Sequence, residues 1–273
     1  MPELPEAETI VRDLQRRVIG RRIDKTKVIK ADIIEGVTPA KFSRAVNGHT
    51  IRKVSRRAKK IVIELSGDAV LVVSLGMTGR IVLSNSARAH ELRHVAVRLD
   101  LDDGTALLYD DARRFGSLEA FTTKSWNERQ TGLGLEPLGD EFTPDIFYRL
   151  MRTSISPIRN WLLDQKRVVG IGNIYAAEAL YRAGIRPTRK TKSLTKAEAS
   201  RLRDKIRDVL FAAIKKRGTT LSDYRDASGE EGAFVSRLQV YDRGGLPCPK
   251  CKTPIKRLVL SNRSAFYCPT CQR

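Results

Sequence analysis

Apolar residues follow a helical period at the start of the chain, recurring every three or four positions up to Gly20. The repeating positions are Ala7, Ile10, Val11, Leu14 and Val18. Pro5 and the acidic residues around it are typical of a first helical turn, and Gly20 is a stop signal. The pattern predicts an amphipathic helix that begins at Pro5 and ends before Gly20.

After this helix the pattern changes to short runs rich in β-branched residues. The runs are Ile61–Leu65, Ala69–Val73, Arg80–Leu83 and His94–Leu99. Turn signals separate them at Ser66–Asp68 and Asp102–Gly104. Several short strands at these intervals predict a β-sandwich or barrel, which we expect to end near Phe121.

The apolar period becomes helical again from Thr143 onward. The predicted helices are Asp145–Met151, Ile158–Leu163, Ile174–Ala183 and Lys196–Lys216. A glycine-rich stretch over 132–139 predicts a hinge, and Ser222–Ala233 has no period and predicts a mobile loop. The fold class is therefore α+β with two domains. The predicted limits are 1–131 for the β-rich domain, 132–142 for the hinge, 143–221 for the helical domain, 222–240 for the loop and 241–273 for a terminal module.

Composition and charge restrict the class of partner. The 273 residues are 41% hydrophobic and 30% charged, which is typical of a soluble globular protein. No apolar run approaches about 18 residues, and the polar, acidic start is unlike a secretory signal. The net charge of +20 favours a polyanionic partner. Nucleic acid is favoured over an anionic membrane, because no lipidation motif or basic amphipathic anchor helix is evident.

All four cysteines lie near the end of the chain, in two Cys-x2-Cys pairs separated by sixteen residues. They are Cys248, Cys251, Cys268 and Cys271. This spacing predicts one tetrahedral zinc ion held by four thiolates. Two structural disulfides are the alternative, but nothing else in the sequence indicates an oxidising compartment.

The N-terminus presents an unusual reactive group. If Met1 is removed, the chain begins with the secondary amine of Pro2, beside Glu3 and Glu6. An α-amino group has a pKa of about 8, so a useful fraction is neutral and nucleophilic at physiological pH. The positive end of the following helix would lower that pKa further. An ordinary helix start is the alternative interpretation of the same residues.

The opening Met1–Glu6 closely resembles that of the formamidopyrimidine-DNA glycosylases, and the resemblance recurs along the whole chain. It implies an N-terminal β-sandwich with an N-terminal helix, then a helix–two-turn–helix domain, a mobile lesion-recognition loop and a zinc-ribbon finger. It also implies that Pro2 is the catalytic nucleophile, that Glu3 assists opening of the sugar ring, and that Glu6 orients both groups.

A basic run precedes the first predicted strand. Arg56–Lys60 resembles the family segment whose lysine reaches the active-site phosphate and base, and the matching residue is Lys59. An ammonium group there would bind a phosphate and could serve as an acid. The alternative is a solvated cationic strand entry.

Two predicted turns resemble the family segments that fill the space left by a nucleotide rotated out of the duplex. Ser74–Arg80 carries Met77, and Asp110–Gly116 carries Arg113 and Phe115. Extruding a base costs a few kcal/mol, which an apolar wedge and a cation for the orphaned base offset. A core position is the alternative for Met77.

Two further motifs match family segments that bind phosphate. Val168–Glu178 resembles the helix–two-turn–helix element, in which Asn173 would be both a side-chain donor and an N-cap. Ser261–Tyr267 resembles the finger hairpin whose arginine clasps two phosphates, and Arg263 matches that arginine. The alternative for the finger is a structural zinc module with a solvated basic surface.

The chain departs from the family pattern at several phosphate contacts. Many relatives have His-x-His before a strand, whereas this chain keeps only the second histidine, His94. His90 and Arg152 are the nearest candidates for the missing contacts, and Arg159 stands where some relatives have lysine.

The resemblance implies a bifunctional DNA glycosylase and abasic-site lyase that excises 8-oxoguanine and formamidopyrimidines through a Schiff base on Pro2, with β,δ-elimination. The expected partner is double-stranded DNA with oxidised bases or abasic sites, bound by a cytoplasmic monomer. One structural zinc ion and no redox cofactor are expected. A related oxidised-pyrimidine glycosylase is disfavoured by the Met-Pro-Glu-Leu start and the complete wedge set. A non-catalytic zinc-ribbon protein is disfavoured by Pro2 and Glu3 together with Lys59.

Overall fold

The computed structural model describes residues 2–87 and 89–273, so the expected removal of Met1 lies outside the described residues. The chain divides into two compact units. The first contains Met1–Thr131 and Ile214–Val235, and the second contains Gly132–Ala213 and Ser236–Arg273. Residues 214–235 therefore belong to the β-rich unit by their contacts. The predicted limits divide the same residues between the helical domain and the loop.

Helices occupy both units. They are α1 Leu4–Gln15, α2 Pro39–Val46, α3 Thr123–Gln130, α4 Pro144–Arg152, α5 Ile158–Leu163, α6 Asn173–Ala183 and α7 Lys196–Lys215. Helix α1 begins at Leu4 instead of Pro5, because Glu3 is already its extended N-cap residue. Helix α6 ends at Ala183 and is followed by Gly184, whose left-handed φ of 72° is typical of a residue that terminates a helix.

The strands of the first unit form two four-stranded antiparallel sheets, β1-β6-β7-β5 and β2-β3-β4-β8. Their strands are β1 Ile23–Val28, β2 Ile51–Arg57, β3 Lys60–Leu65, β4 Ala69–Ser74, β5 Arg80–Leu83, β6 Val95–Leu101, β7 Ala106–Asp110 and β8 Ser117–Thr122. One core includes Val97 of the first sheet, Ile63 of the second and Ile10 of α1, all with no exposed surface. This packing confirms the predicted β-sandwich with its N-terminal helix.

The second unit ends in a hairpin of β9 Lys256–Leu260 and β10 Arg263–Tyr267. This hairpin contains the segment Ser261–Tyr267 that resembles the finger hairpin of the family. Around the first cysteine pair, the pairing is an isolated bridge between Pro247 and Pro254. Phe266, Ile255 and two cysteines pack against Tyr181 of α6 in a small core. Among the described residues, no helix has the length and apolar character needed to cross a membrane.

Candidate functional site

The first turn of α1 brings Pro2, Glu3 and Glu6 together. Pro2 is buried, and Glu3 and Glu6 are only 2% and 1% exposed. Glu3 is the N-cap residue, so Pro2 directly precedes the positive end of the helix. Pro2 and two acidic side chains thus share one buried site.

Glu6 is held by two backbone donors. Its Oε2 accepts the N–H of Glu3 at 2.7 Å, and its Oε1 accepts the N–H of Thr219 at 2.8 Å. Gly218 permits this approach, since its φ is +88° and a Cβ there would lie 2.9 Å from Oε1. The carboxylate of Glu6 therefore fastens the segment around Thr219 to the first turn of α1.

Lys59 lies on the tight turn between β2 and β3, half-buried. The turn places Ala58 at a φ of +56°. Arg56 donates to the carbonyl oxygen of Ala58 at 3.0 Å and to Oε2 of Glu8 at 3.1 Å. Since Glu8 belongs to α1, this ion pair ties the turn that carries Lys59 to the helix that follows Pro2.

Met77, Arg113 and Phe115 lie on two loops in direct backbone contact. A Cβ on Gly76 would lie 2.4 Å from the carbonyl carbon and oxygen of Phe115. The two loops can therefore approach this closely only because residue 76 is glycine. Met77 is 39% exposed and Phe115 is 58% exposed. The Arg113 guanidinium lies 4.6 Å from the ring centroid of Phe115. The structure thus unites the three residues as one exposed apolar and cationic surface.

Buried Asp111 organises these loops, although the sequence reasoning assigned it no role. Its carboxylate accepts hydrogen bonds from the Thr78 hydroxyl and, at 3.2 Å and 2.9 Å, from the N–H groups of Arg113 and Gly116. Tyr109 donates to the same carboxylate at 3.3 Å, and burial beside this charge raises the pKa of Tyr109. An acidic residue just before a turn is the signal that could have identified it.

A cavity of about 300 Å³ lies beside these loops in the first unit. Thr78 and Ala112 line it from the loops just described, while Ser222, Asp223 and Arg225 line it from the segment after Thr219. The remaining lining residues are Arg80, Arg93, His94 and Asp110. Asp110 accepts hydrogen bonds from Arg80 at 3.0 Å and from the His94 N–H at 2.6 Å, and these bonds hold this side of the cavity together.

In the second unit, Asn173 and Arg263 are linked through Arg159. Arg159 is 2% exposed and donates to the carbonyl oxygen of Leu260 at 3.0 Å and to Oδ1 of Asn173 at 2.7 Å. The Asn173 amide donates to the carbonyl oxygen of Ser264 at 3.0 Å. Burial, followed by repulsion from Arg263, lowers the pKa of Arg159. These bonds fasten the turn that carries exposed Arg263 to the start of α6.

The structure corrects the expected N-cap. Gly172 is the N-cap residue of α6, and Asn173 is its first helical residue. The amide of Asn173 bonds Arg159 and the finger hairpin, so it joins two elements instead of capping its own helix. A primary amide has two N–H donors. The bond to Ser264 uses one of them.

His90 and Arg152 are the two remaining candidates for phosphate contacts. His90 lies in a short 3-10 helix, Ala89–Glu91. Arg152 is exposed at the end of α4 and donates to the carbonyl oxygen of Lys192 at 2.5 Å. The structure leaves both assignments as predictions.

The four cysteines converge on one point. Their Sγ atoms all lie within 4.8 Å of one another, with Cys248 to Cys271 at 3.9 Å and Cys251 to Cys268 at 3.4 Å. Four thiolates about 2.3 Å from a tetrahedral zinc ion would lie about 3.8 Å apart, so the donor set fits zinc. The Tyr181 hydroxyl lies 3.1 Å from Cys248 Sγ, where it can orient that ligand.

Buried Glu178 of α6 is a further fastening residue, which the sequence reasoning missed. Its Oε1 accepts three consecutive backbone N–H groups, of Gln239, Val240 and Tyr241, at 2.9 to 3.0 Å. These bonds hold the segment that leads into the finger against α6. No local pattern in the sequence marks this carboxylate, because its partners lie about 60 residues further on.

Three family profiles match successive parts of the chain. The formamidopyrimidine-DNA glycosylase N-terminal domain matches residues 1–118, and the H2TH domain of the same enzymes matches 133–225. A zinc finger found in FPG and IleRS matches 245–273.

Full-length relatives agree with these profiles. The chain is 40% identical over 274 residues to the formamidopyrimidine-DNA glycosylase of Chloroflexus aggregans, covering 100% of this chain and 98% of the relative. It superimposes on the MutM (FPG) protein of Thermus thermophilus with a TM-score of 0.88 at 38% identity, covering 99% and 98% of the two chains. A complex between Lactococcus lactis Fpg and DNA containing an abasic site gives a TM-score of 0.91 at 30% identity, covering 99% of each chain.

Sequence identity, coverage and fold agree over the β-sandwich, the helical region and the cysteine module. The chain belongs to the formamidopyrimidine-DNA glycosylase family of DNA repair enzymes.

Proposed function

We propose that this protein is a bifunctional DNA glycosylase and abasic-site lyase that excises oxidised purines from duplex DNA. The observation that carries the proposal is the arrangement of Pro2, Glu3 and Glu6 at the buried start of α1. The carboxylate of Glu6 already accepts two backbone N–H groups, which makes it a positioning group. The Glu3 side chain accepts the backbone N–H of Glu6 in a capping box, which holds it at the amino end of α1, and we assign it to proton transfer beside the amine.

The reaction begins when the neutral nitrogen of Pro2 forms a bond to C1′ of the extruded nucleotide. The damaged base leaves with the electron pair of its glycosidic bond and takes up the proton that the Pro2 nitrogen releases, and Glu3 protonates the ring oxygen O4′ as the C1′–O4′ bond opens. The nitrogen lone pair forms an iminium, which acidifies the C2′ proton. Loss of that proton breaks the 3′ C–O bond, and a second elimination breaks the 5′ C–O bond.

Base extrusion is assigned to Met77, Arg113 and Phe115. Their exposure and common position support insertion into a stacked duplex, since the buried carboxylate of Asp111 accepts hydrogen bonds from residues of both loops that carry them. The apolar pair would replace lost stacking, and the guanidinium would hydrogen-bond the orphaned base.

Phosphate binding is assigned to Lys59, Asn173 and Arg263. The guanidinium fork of Arg263 suits bidentate phosphate contact. One structural zinc ion, held by the four cysteines, would maintain the finger that carries Arg263. A chain with a net charge of +20 would also attract DNA of any sequence.

Borohydride trapping on a duplex containing 8-oxoguanine opposite cytosine tests the proposal. An iminium enzyme becomes covalently attached, and mass spectrometry should place the attachment on Pro2. Pro2→Gly should lose most activity, and a form that keeps Met1 should lose it entirely, because its proline nitrogen is an amide. Attachment to Lys59 or another lysine would refute the assignment of Pro2.

A parallel duplex with an oxidised pyrimidine separates the rival enzyme class. Faster trapping on that duplex than on 8-oxoguanine would favour the oxidised-pyrimidine activity. DNA binding with no trapping on either duplex would favour a non-catalytic nucleic-acid-binding protein.

A further inference from the structure

Arg217 occupies a backbone conformation that arginine rarely adopts. It lies two residues after the end of α7, with a φ of +61°. This left-handed conformation is disfavoured for residues with a Cβ, and glycine is the usual residue there at a helix C-terminus. Such an outlier points to a compensating interaction elsewhere in the structure.

The compensating interaction is a bridge between two buried carboxylates. The guanidinium donates through Nε to Asp226 Oδ2 at 2.7 Å and through Nη2 to Asp13. Asp226 has no exposed surface, and Asp13 is 6% exposed. Burial alone would lower the pKa of Arg217, but its hydrogen bonds to Asp13 and Asp226 outweigh burial and raise the pKa. The arginine therefore stays charged and neutralises both acids.

Asp226 in turn shapes the following loop. Its Oδ1 accepts the N–H groups of Ser228 and Glu230 at 2.8 Å and 3.0 Å. Without Arg217, a fully buried carboxylate would lose its counter-ion, which is strongly unfavourable. The conformation of residues 226–230 thus depends on the bridge.

Both ends of the segment 219–226 are fastened to α1. At one end Glu6 accepts the Thr219 N–H, and at the other Arg217 joins Asp226 to Asp13. Glu6 lies in the first turn of α1, three residues after Glu3, and Asp13 lies in the last turn of the helix. Between the two fastened ends lie Ser222, Asp223 and Arg225, which line the 300 Å³ cavity.

We propose that Arg217, bridging Asp13 and Asp226, is a positioning residue that holds this cavity wall at a set distance from the amino end of α1. The proposal rests on the proposed function, since it assigns the cavity wall a part in holding the base to be removed. Base excision requires the extruded base and its C1′ atom to be held in one geometry relative to the amine. Cleavage at a pre-formed abasic site requires no held base, so the bridge matters for the first reaction and little for the second.

Arg217→Gly is the direct test, because glycine accepts a φ of +61° and the variant loses the bridge without backbone strain. Arg22→Ala is the matched control, since it also removes one positive charge and one ion pair, the exposed pair with Asp24. Arg217→Lys keeps the charge, but a single ammonium cannot reproduce the planar fork between two carboxylates.

The first measurement is amide hydrogen exchange, which is independent of catalysis. Exchange at Ser228 and Glu230 should accelerate in Arg217→Gly and remain at the wild-type rate in Arg22→Ala. Unchanged exchange in Arg217→Gly would overturn the proposal, since the bridge would then not hold the loop.

The second measurement compares two single-turnover reactions. Arg217→Gly should lower 8-oxoguanine excision by about tenfold or more, since displacements near 1 Å can cost up to about 100-fold in rate. Its rate of cleavage at a pre-formed abasic site should stay within about twofold of wild type. Arg217→Lys should excise 8-oxoguanine at a rate between those of wild type and Arg217→Gly, because lysine keeps the charge but only part of the positioning. Equal losses in both reactions would overturn the positioning role. Failure of the proposed function itself would be seen separately, as wild-type protein that neither excises the base nor is trapped by borohydride.

Discussion

The guanidinium of Arg113 lies over the ring of Phe115, 4.6 Å from the ring centroid. Both side chains are exposed, yet the loop that carries them is fastened to buried Asp111 through the N–H groups of Arg113 and Gly116. A cation–π pair of this kind is worth about 0.5–1 kcal/mol at an exposed site, which is enough to favour one arrangement. An exposed aromatic ring and a cation are therefore presented together on a fixed loop, which is what the proposed insertion into DNA requires.

Met77→Ala should impair base removal from duplex DNA and leave thermal stability nearly unchanged. Met77 is 39% exposed, so its truncation removes little buried surface. Extruding a stacked base costs a few kcal/mol, and the wedge would offset that cost. Cleavage at a pre-formed abasic site should suffer less, because a baseless sugar rotates out easily. Single-turnover rates on the two substrates measure the difference.

Leu75→Ala is the matched control for Met77, since Leu75 lies in the same loop but is 2% exposed. It should lower the melting temperature, as expected for a core leucine, where truncation costs about 2–5 kcal/mol. If Met77→Ala lowered the melting temperature similarly and slowed both reactions equally, Met77 would be a core residue.

Arg263→Ala should reduce the salt dependence of DNA binding. Each neutralised phosphate contributes a slope of about −0.9 to log K against log salt, so losing one contact should flatten the slope by about one unit. Affinity should fall alike for all lesions, because phosphates carry no sequence information. Fluorescence titrations at several salt concentrations measure this slope.

Lys256→Ala provides a comparison with the same charge change on the same hairpin. Lys256 pairs with Tyr267, at the end of the hairpin far from the turn that carries Arg263. We expect a smaller change of slope for Lys256→Ala. An unchanged slope in Arg263→Ala would assign Arg263 to the solvated surface of the finger.

Zinc should be bound once per chain, and its removal should unfold the cysteine module. Binding of a structural zinc ion contributes about 10–16 kcal/mol to the folding of such modules. Cys251→Ser or a strong chelator should therefore unfold the module and abolish DNA binding. Tyr181→Phe should weaken zinc affinity by about tenfold, because its hydroxyl contacts Cys248 Sγ. Metal analysis of freshly purified protein that found no zinc would contradict this prediction, as would a mass corresponding to two disulfides.

The Arg189–Glu198 pair should make stability depend on pH. Arg189 hydrogen-bonds both oxygens of Glu198, and these bonds lower the pKa of Glu198 to about 2. In the unfolded chain a glutamate has a pKa of about 4.3, so the stabilisation is complete above that value and is lost as pH falls towards about 2. The difference in unfolding free energy between wild type and Glu198→Gln should therefore be constant above about pH 5 and shrink below it. Denaturant titrations at several pH values measure this difference, and a constant difference down to about pH 2 would contradict the assignment.

The sequence predicted helix limits well where a helical period of apolar residues is followed by a residue that ends a helix. The helix over Ile158–Leu163 has the predicted limits, and α6 differs from its predicted start by one residue. The pattern missed α2 and α3, as well as strands β1, β2, β7 and β8. In β2, Ile51–Arg57, most residues are Arg, Lys or Ser, so its pairing with β3 decides a strand that its own residues do not indicate.

The sequence by itself determined which reactive groups this protein carries: a proline at position 2 near two glutamates, four cysteines at zinc spacing, and an excess of positive charge. These features depend on residue identity and short spacing, which the printed chain contains in full. Only the tertiary structure decided which groups support that chemistry. Glu6 binds the backbone of Thr219, Asp111 organises the loops of Met77 and Phe115, and Arg217 bridges two acids 9 and 204 residues away. Each of these groups acts through a partner that packing brings close, and a buried charge is stable only once that partner is in place.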